Sequence, residues 1–377
     1  MNLDRRQFLQ LGSVALGASL LTPTLLAADQ AASLYRNSVI IDGLGFPGSM
    51  NTAPGAALSA DEIGDIASSG LTATHVTVGE VGNMDPLLAF EKIIRDITRW
   101  DQQVTTHPDV LLPVRSVADI HAARKAGTTA LIYGLQDGVS FADDLGRLPA
   151  LQHAGIRVIQ PTYNRRNLLG DGCMETADAG LSRDGAEAVA QIQQLGILLD
   201  LSHCGRRTSA DAIALATRPV SFTHTGCHAL AEHPRHRTDA ELKAVADTGG
   251  VSGIYIMPYL AKGAQPTAAD VIAHLRHAVK VAGEDHVSIG TDGFVSPAVL
   301  SEAYRRQFRD ITRQRREAGI AAPFETEEGY LFAADLNTSR RFETLADLLL
   351  KDGFSESVTE KILGANLLRV FGDSWNN

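Results

Sequence analysis

Short apolar runs that end on a polar residue recur along this chain, and the two most telling are Gly196-Ile-Leu-Leu-Asp-Leu-Ser-His203 and Pro219-Val-Ser-Phe-Thr-His224. Runs of that length behind a glycine or proline predict strands buried on both faces, as in a parallel sheet. The same pattern predicts strands at 38–43, 71–78, 128–135, 156–160, 249–256 and 286–292. Between them the spacing turns helical. Asp85 stands as N-cap before Pro86, and Leu87, Phe90, Ile93, Ile94, Ile97 and Trp100 fall on one face. Shorter helices are expected at 116–126, closed by Gly127, and at 184–195. Thr238 with Glu241, and Thr267 with Asp270, read as capping boxes that start two more, and Ser357-Val-Thr-Glu360 as the cap of the last helix. Residues 51–60, rich in glycine, proline and alanine, read as loop.

Eight strands alternating with helices predict an α/β chain closed into a (β/α)₈ TIM barrel, a fold of about 250 residues with its chemistry at the strand C-termini. An open doubly wound sheet is the competing arrangement, but no Gly-x-Gly-x-x-Gly follows the first strand to suggest a dinucleotide. The barrel is expected over 35–372. A charged stretch at 297–344, with an arginine-rich helix at 304–316, is an excursion over the barrel mouth or a subunit contact, which leaves a homodimer open.

Charge removes one class of partner. The formal net charge of −10 and the lack of any long Lys/Arg run argue against nucleic acid. Residues 1–28, with Arg5-Arg6, an apolar run from Leu11 to Leu26 and Ala27-Ala28, have the zones of a twin-arginine export signal and imply a periplasmic protein that engages the export machinery. The run is shorter than the roughly 20 residues a membrane span needs. Three cysteines, Cys173, Cys204 and Cys227, are too few for a disulfide framework and read as buried thiols, with one disulfide as the alternative.

The polar residues at the strand ends are Asp42, Gln136 and Asp137, Tyr163 and Asn164, His203, His224 and Asp292. Two imidazoles and a carboxylate converging on one mouth suit zinc in the open arrangement of a catalytic site, where bound water has a pKa near ~7. Asp292 is the candidate proton shuttle or ligand. Arg235 reads equally as a clamp for a substrate carboxylate or as a surface partner of Asp239 or Glu241. Tyr163 and Tyr255 read as packing or substrate contacts, His75 as structural, and Cys204 and Cys227 as minor alternatives for soft ligands.

At Asp200-Leu-Ser-His203, Thr223-His224-Thr225, His233-Pro-Arg235, Ile289-Gly-Thr-Asp292 and Ile362-Leu-Gly-Ala-Asn-Leu-Leu-Arg369 the chain resembles the membrane (renal) dipeptidase family, amidohydrolase-like barrels that cleave dipeptides with two zinc ions. The resemblance implies that His203 and His224 are zinc ligands, Asp292 the catalytic aspartate and Arg235 the substrate-carboxylate arginine. It also places Asp42 and Gln136 among the metal-site positions, Tyr163 where an oxyanion-stabilising histidine often stands, and Asn164 and Tyr255 beside the substrate. Where the family carries Asp-x-His-x-Asp after strand one, this chain has Asp42-Gly-Leu-Gly-Phe46, and Gln136 replaces a metal-bridging glutamate. Leu44 and Phe46 cannot ligate, and a neutral amide does not balance two cations. The expectation is a hydrolase of dipeptides or a related peptide-like substrate with one zinc ion, acting through metal-activated water. The alternative is a metal-poor, non-catalytic periplasmic binding or maturation protein on the same barrel.

Overall fold

The computed structural model describes residues 30–376 apart from 54, 83 and 324. Eight parallel strands form the barrel, in the order β1 (Ile41–Asp42), β2 (Ala73–Thr77), β3 (Thr129–Leu135), β4 (Ile156–Ile159), β5 (Leu198–Asp200), β6 (Val220–Cys227), β7 (Val251–Ile254) and β8 (Val287–Ile289). Each sits where an apolar run predicts it, most of them trimmed by a residue or more, while β6 runs three residues past His224 to Cys227. The barrel strands are buried throughout apart from Thr77, as expected with helices outside and a filled interior. The export signal expected at 1–28 lies outside the described residues. No helix among those described is long and apolar enough to cross a membrane.

Closure between the first and last strands is made by the backbone and one carboxylate. The Gly43 amide donates to the Ile289 carbonyl at 2.9 Å, and Asp42 accepts from the Thr291 amide at 2.7 Å and its hydroxyl at 2.6 Å. Beyond that clasp, Gly45–Phe46 and Gly293–Phe294 pair as a short parallel ribbon, with the two phenyl rings 5.4 Å apart. Two glycines permit close approaches inside. A Cβ on Gly290 would lie 1.9 Å from the Thr223 carbonyl, and one on Gly134 would lie 2.1 Å from His75 Nε2.

The helix boundaries follow their caps. Asp85 accepts from the amides of Leu87 and Leu88 and starts Pro86–Thr106, and the boxes at Thr238 and Thr267 form as expected. Two expectations need correction. On the long helix Ile93, Ile97 and Trp100 are buried, but Leu87 and Ile94 face solvent at 68% and 38% exposure. The final helical region is capped by Ser355, which accepts from Val358, instead of Ser357. A π-turn over Lys361–Ala365 then leads into Asn366–Ser374.

Candidate active site

Residues that the sequence scatters over 250 positions meet at the C-terminal mouth of the barrel. His203 follows β5 and His224 lies within β6, and their Nε2 atoms are 3.0 Å apart. Both rings are 3% exposed or less. Burial, then the Arg235 guanidinium, holds both well below the usual histidine range, so the rings are neutral. His203 is fixed from several sides: its amide donates to Gln160 Oε1 at 3.0 Å, its carbonyl accepts from the Cys173 amide at 2.8 Å, and Tyr163 stacks on its ring at 4.0 Å. Behind the rings, His203 Nδ1 meets Asn164 Oδ1 at 2.7 Å and His224 Nδ1 meets Thr223 Oγ1 at 2.8 Å.

Asp292, just after β8, is the only residue other than glycine with positive φ among those described, at 53°. For an aspartate that left-handed conformation is uncommon and costs energy, and such strain collects at functional positions. Its amide donates to the Leu44 carbonyl at 2.8 Å, while no described donor hydrogen-bonds its carboxylate. Burial pushes the group up to about 6, against the lowering effect of Arg235 and Arg315. Arg235 points inward, 2% exposed, with Nη1 donating to the Ser202 carbonyl at 2.6 Å. The surface pairing considered for it belongs to its neighbour, since Arg237 meets Glu241 at 3.2 Å. Arg237 also donates to the carbonyls of Leu201, Ser202 and Cys204 and so braces the chain around His203.

Other expected site residues lie close by but are committed elsewhere. Asp42 spends both oxygens on the strand clasp, and burial pushes it up to about 7. Gln136 donates to Thr77 Oγ1 at 2.7 Å, and Asp137 accepts from Val139 and Asn167. Asn164 is 1% exposed, with its nitrogen on the Ile320 carbonyl at 2.7 Å and its oxygen on His203, so both of its polar side-chain atoms are taken within the protein. Tyr255 is fully buried beneath the Arg235 guanidinium, 5.8 Å away, and its hydroxyl has no hydrogen-bond partner among the described residues. His75 bonds the Gly43 carbonyl from inside the barrel at 2.8 Å. The three cysteines are free.

The excursion supplies what sequence reading missed. Residues 315–323 and Glu325, beginning in the arginine-rich helix Glu302–Glu317, lie over the mouth as a strap. Arg315 donates to Tyr163 Oη from both Nη atoms at 3.3 Å and pairs with Glu325 at 2.8 and 2.9 Å. Glu325 also accepts from Tyr259 at 2.8 Å, and the Pro323 carbonyl meets His233 Nε2 at 3.0 Å. The strap closes the site. Cavities of about 530 Å³ beside Phe46, Trp100 and Phe294, and of about 690 Å³ beside Cys173, His228 and His233, are not lined by the histidine pair. Among the described residues no group of three or more His, Cys, Asp or Glu side chains is arranged to hold a metal, which leaves the two imidazoles as the donor pair.

Comparison with known proteins gives this geometry a family. The family model for membrane dipeptidase (peptidase family M19) matches residues 31–305. A dipeptidase, verJ, of Clonostachys rogersoniana is 27% identical over 269 residues, 71% of this chain, which spans 61% of that relative's length. An amidohydrolase structure from Pseudomonas aeruginosa is 32% identical with a TM-score of 0.78, covering 92% of this chain and 99% of that one. A metallopeptidase from Rhodobacter sphaeroides, solved with a phosphinate mimic of L-Ala-D-Ala, shares the fold at a TM-score of 0.72 and 17% identity, covering 90% of this chain and all (100%) of that one. The chain therefore belongs to the membrane dipeptidase family of metallohydrolases.

Proposed function

We propose that this protein hydrolyses the amide bond of a dipeptide or a similarly small peptide-like substrate, using one divalent ion, zinc by its donor set, held by His203 and His224. The observation that carries the reading is the buried pair of neutral imidazoles with Nε2 atoms 3.0 Å apart. Such a pair suits a borderline-soft cation, and both Nδ1 atoms already have partners that orient the rings. The opposite side of the mouth does not suit a second ion. Leu44 is buried and apolar, Phe46 packs on Phe294, and Gln136 and Asp42 are engaged by Thr77 and Thr291.

A bound ion supplies Lewis acidity and makes water more acidic. The protein's own groups do the rest. Asp292, raised towards neutrality and with a carboxylate that no described donor hydrogen-bonds, takes a proton from the attacking water and returns it to the leaving amine. Arg235 carries a guanidinium with donors to spare for a substrate carboxylate. Tyr163, whose phenol burial keeps protonated, can donate to the developing oxyanion. His203 and His224 are buried, so the proposal requires the strap of residues 315–323 and Glu325, held by Arg315 on Tyr163, to move aside for substrate. Export through residues 1–28 is part of the same proposal, and N-terminal sequencing of periplasmic protein tests it.

Metal analysis joined to a dipeptide assay tests the function. The expected result is close to one zinc per chain and turnover, both lost in His203→Ala. No metal under zinc-replete conditions overturns the reading, and dipeptide binding that survives a chelator without turnover assigns the chain to the binding-protein alternative.

A further inference from the structure

The partners behind the two histidines fix where every proton sits, and the outcome is unusual. Asn164 Nδ2 faces the Ile320 carbonyl, which only accepts, so Asn164 Oδ1 is the atom that faces His203 Nδ1. An amide oxygen donates nothing. His203 therefore carries its proton on Nδ1, and Nε2 of the neutral ring is bare.

The second ring reaches the same state by another route. Asp200 Oδ1 accepts from the amides of Ser202 and Thr223 at 3.0 Å each and from the Ser202 hydroxyl at 2.6 Å. Its Oδ2 takes the Thr223 hydroxyl proton in a 2.5 Å bond, the length of a charge-assisted contact. With its one proton spent on Asp200, Thr223 Oγ1 can only accept from His224 Nδ1. Nε2 of His224 is bare as well. Two lone pairs thus face each other at 3.0 Å with no hydrogen between them, an arrangement that repels itself until a cation enters.

We infer that Asn164, and Thr223 anchored by Asp200, are positioning residues that lock both rings in the Nδ1–H form and so prepare the pair for a cation. The inference builds on the proposed role of His203 and His224 as ligands, but the tautomers can be read without any metal. Neither partner would be a ligand of the ion. Each acts through the histidine in front of it, and Asp200 lends carboxylate character to His224 through a hydroxyl, in the manner of outer-shell acceptors behind metal-bound imidazoles.

The test is nitrogen-15 NMR of histidine-labelled, chelator-stripped full-length protein, with signals assigned from His203→Gln and His224→Gln. Both rings should show protonated Nδ1 and bare Nε2. A proton on Nε2 of either ring overturns the inference, even if the protein binds zinc and turns over substrate. Bare Nε2 atoms in a protein that binds no zinc sink the proposed function and leave the tautomer lock standing. Zinc competition against a chromophoric chelator then separates positioning from mere packing. Thr223→Val and Asn164→Leu should weaken zinc by about 10- to 100-fold, while Thr223→Ser, which keeps the hydroxyl, stays within about threefold of the parent. Folded Thr223→Val and Asn164→Leu proteins with parental affinity refute the inference.

Discussion

Glu325→Ala should unlatch the strap over the histidine pair without unfolding the barrel. Glu325 and Arg315 are 6% and 26% exposed, and the carboxylate also holds the Tyr259 hydroxyl and the Ala322 amide. Removing one member of a buried pair costs about 3–5 kcal/mol because its partner is left unpaired. Water reaching the partly exposed Arg315 recovers some of that, so about 2–3 kcal/mol is the expected loss. The strap hangs on its own contacts, and the loss should appear in its local opening equilibrium rather than in global stability. At about 1.4 kcal/mol per tenfold, strap opening becomes ~30- to 150-fold more frequent. Amide hydrogen exchange reads this at Ile320 and Ala321, whose amides bond the Arg315 carbonyl at 2.9 and 3.1 Å. Ala322 is uninformative, since it loses its acceptor directly. Exchange at Ile320 and Ala321 that changes less than about threefold refutes the latch, and equal acceleration at β3 amides such as Ile132 shows that the barrel itself has been loosened.

Asp292→Asn should trade activity for stability. Removing a proton-transfer group lowers kcat by about 10²- to 10⁴-fold while zinc content stays unchanged. Because burial raises the folded-state pKa to about 6 from 3.8, the native aspartate's contribution to stability is full below 3.8 and is lost as pH rises through 6. The variant should therefore be more stable by about 1–3 kcal/mol at pH 7 and no different near pH 3.5 by chemical denaturation. His274 works in the opposite direction. Burial lowers it from 6.5 to about 4, so its stabilising contribution is present above 6.5 and lost as pH falls through 4, a total of about 3 kcal/mol. His274→Asn should flatten that part of the stability profile, and an unchanged slope between pH 6.5 and 4 counts against it. Gly134→Ala should destabilise the fold by about 1–3 kcal/mol or more through the clash with His75 Nε2. The double variant with His75→Ala should recover at least about 1 kcal/mol of that loss in a thermodynamic cycle, and strict additivity argues against the clash.

The barrel was legible in the sequence because parallel strands covered on both faces must be continuously apolar, and that rule leaves its mark residue by residue. The caps at Asp85, Thr238 and Thr267 were legible because a cap is a contact within four residues. The site positions were visible through the same rule, since a polar residue ending an apolar run stands at the mouth. Sequence alone also showed that Leu44 and Phe46 cannot bind a metal. What those mouth residues touch was not readable. Asn164 turns its back on the mouth to hold His203, Asp42 is consumed in closing the barrel, and Ser355 takes the cap expected of Ser357. Arg315 and Glu325 gave no signal, one in a charge-rich helix and the other beyond the uncharged run from Ala318 to Phe324. Their role comes from lying across Tyr163, 152 residues from Arg315, and contacts at that range follow from the path of the chain and not from the pattern within it. The sequence by itself determined which residues stand at the mouth; the tertiary structure decided which of them remain free to act, because a hydrogen-bonding atom serves whichever partner the fold brings first.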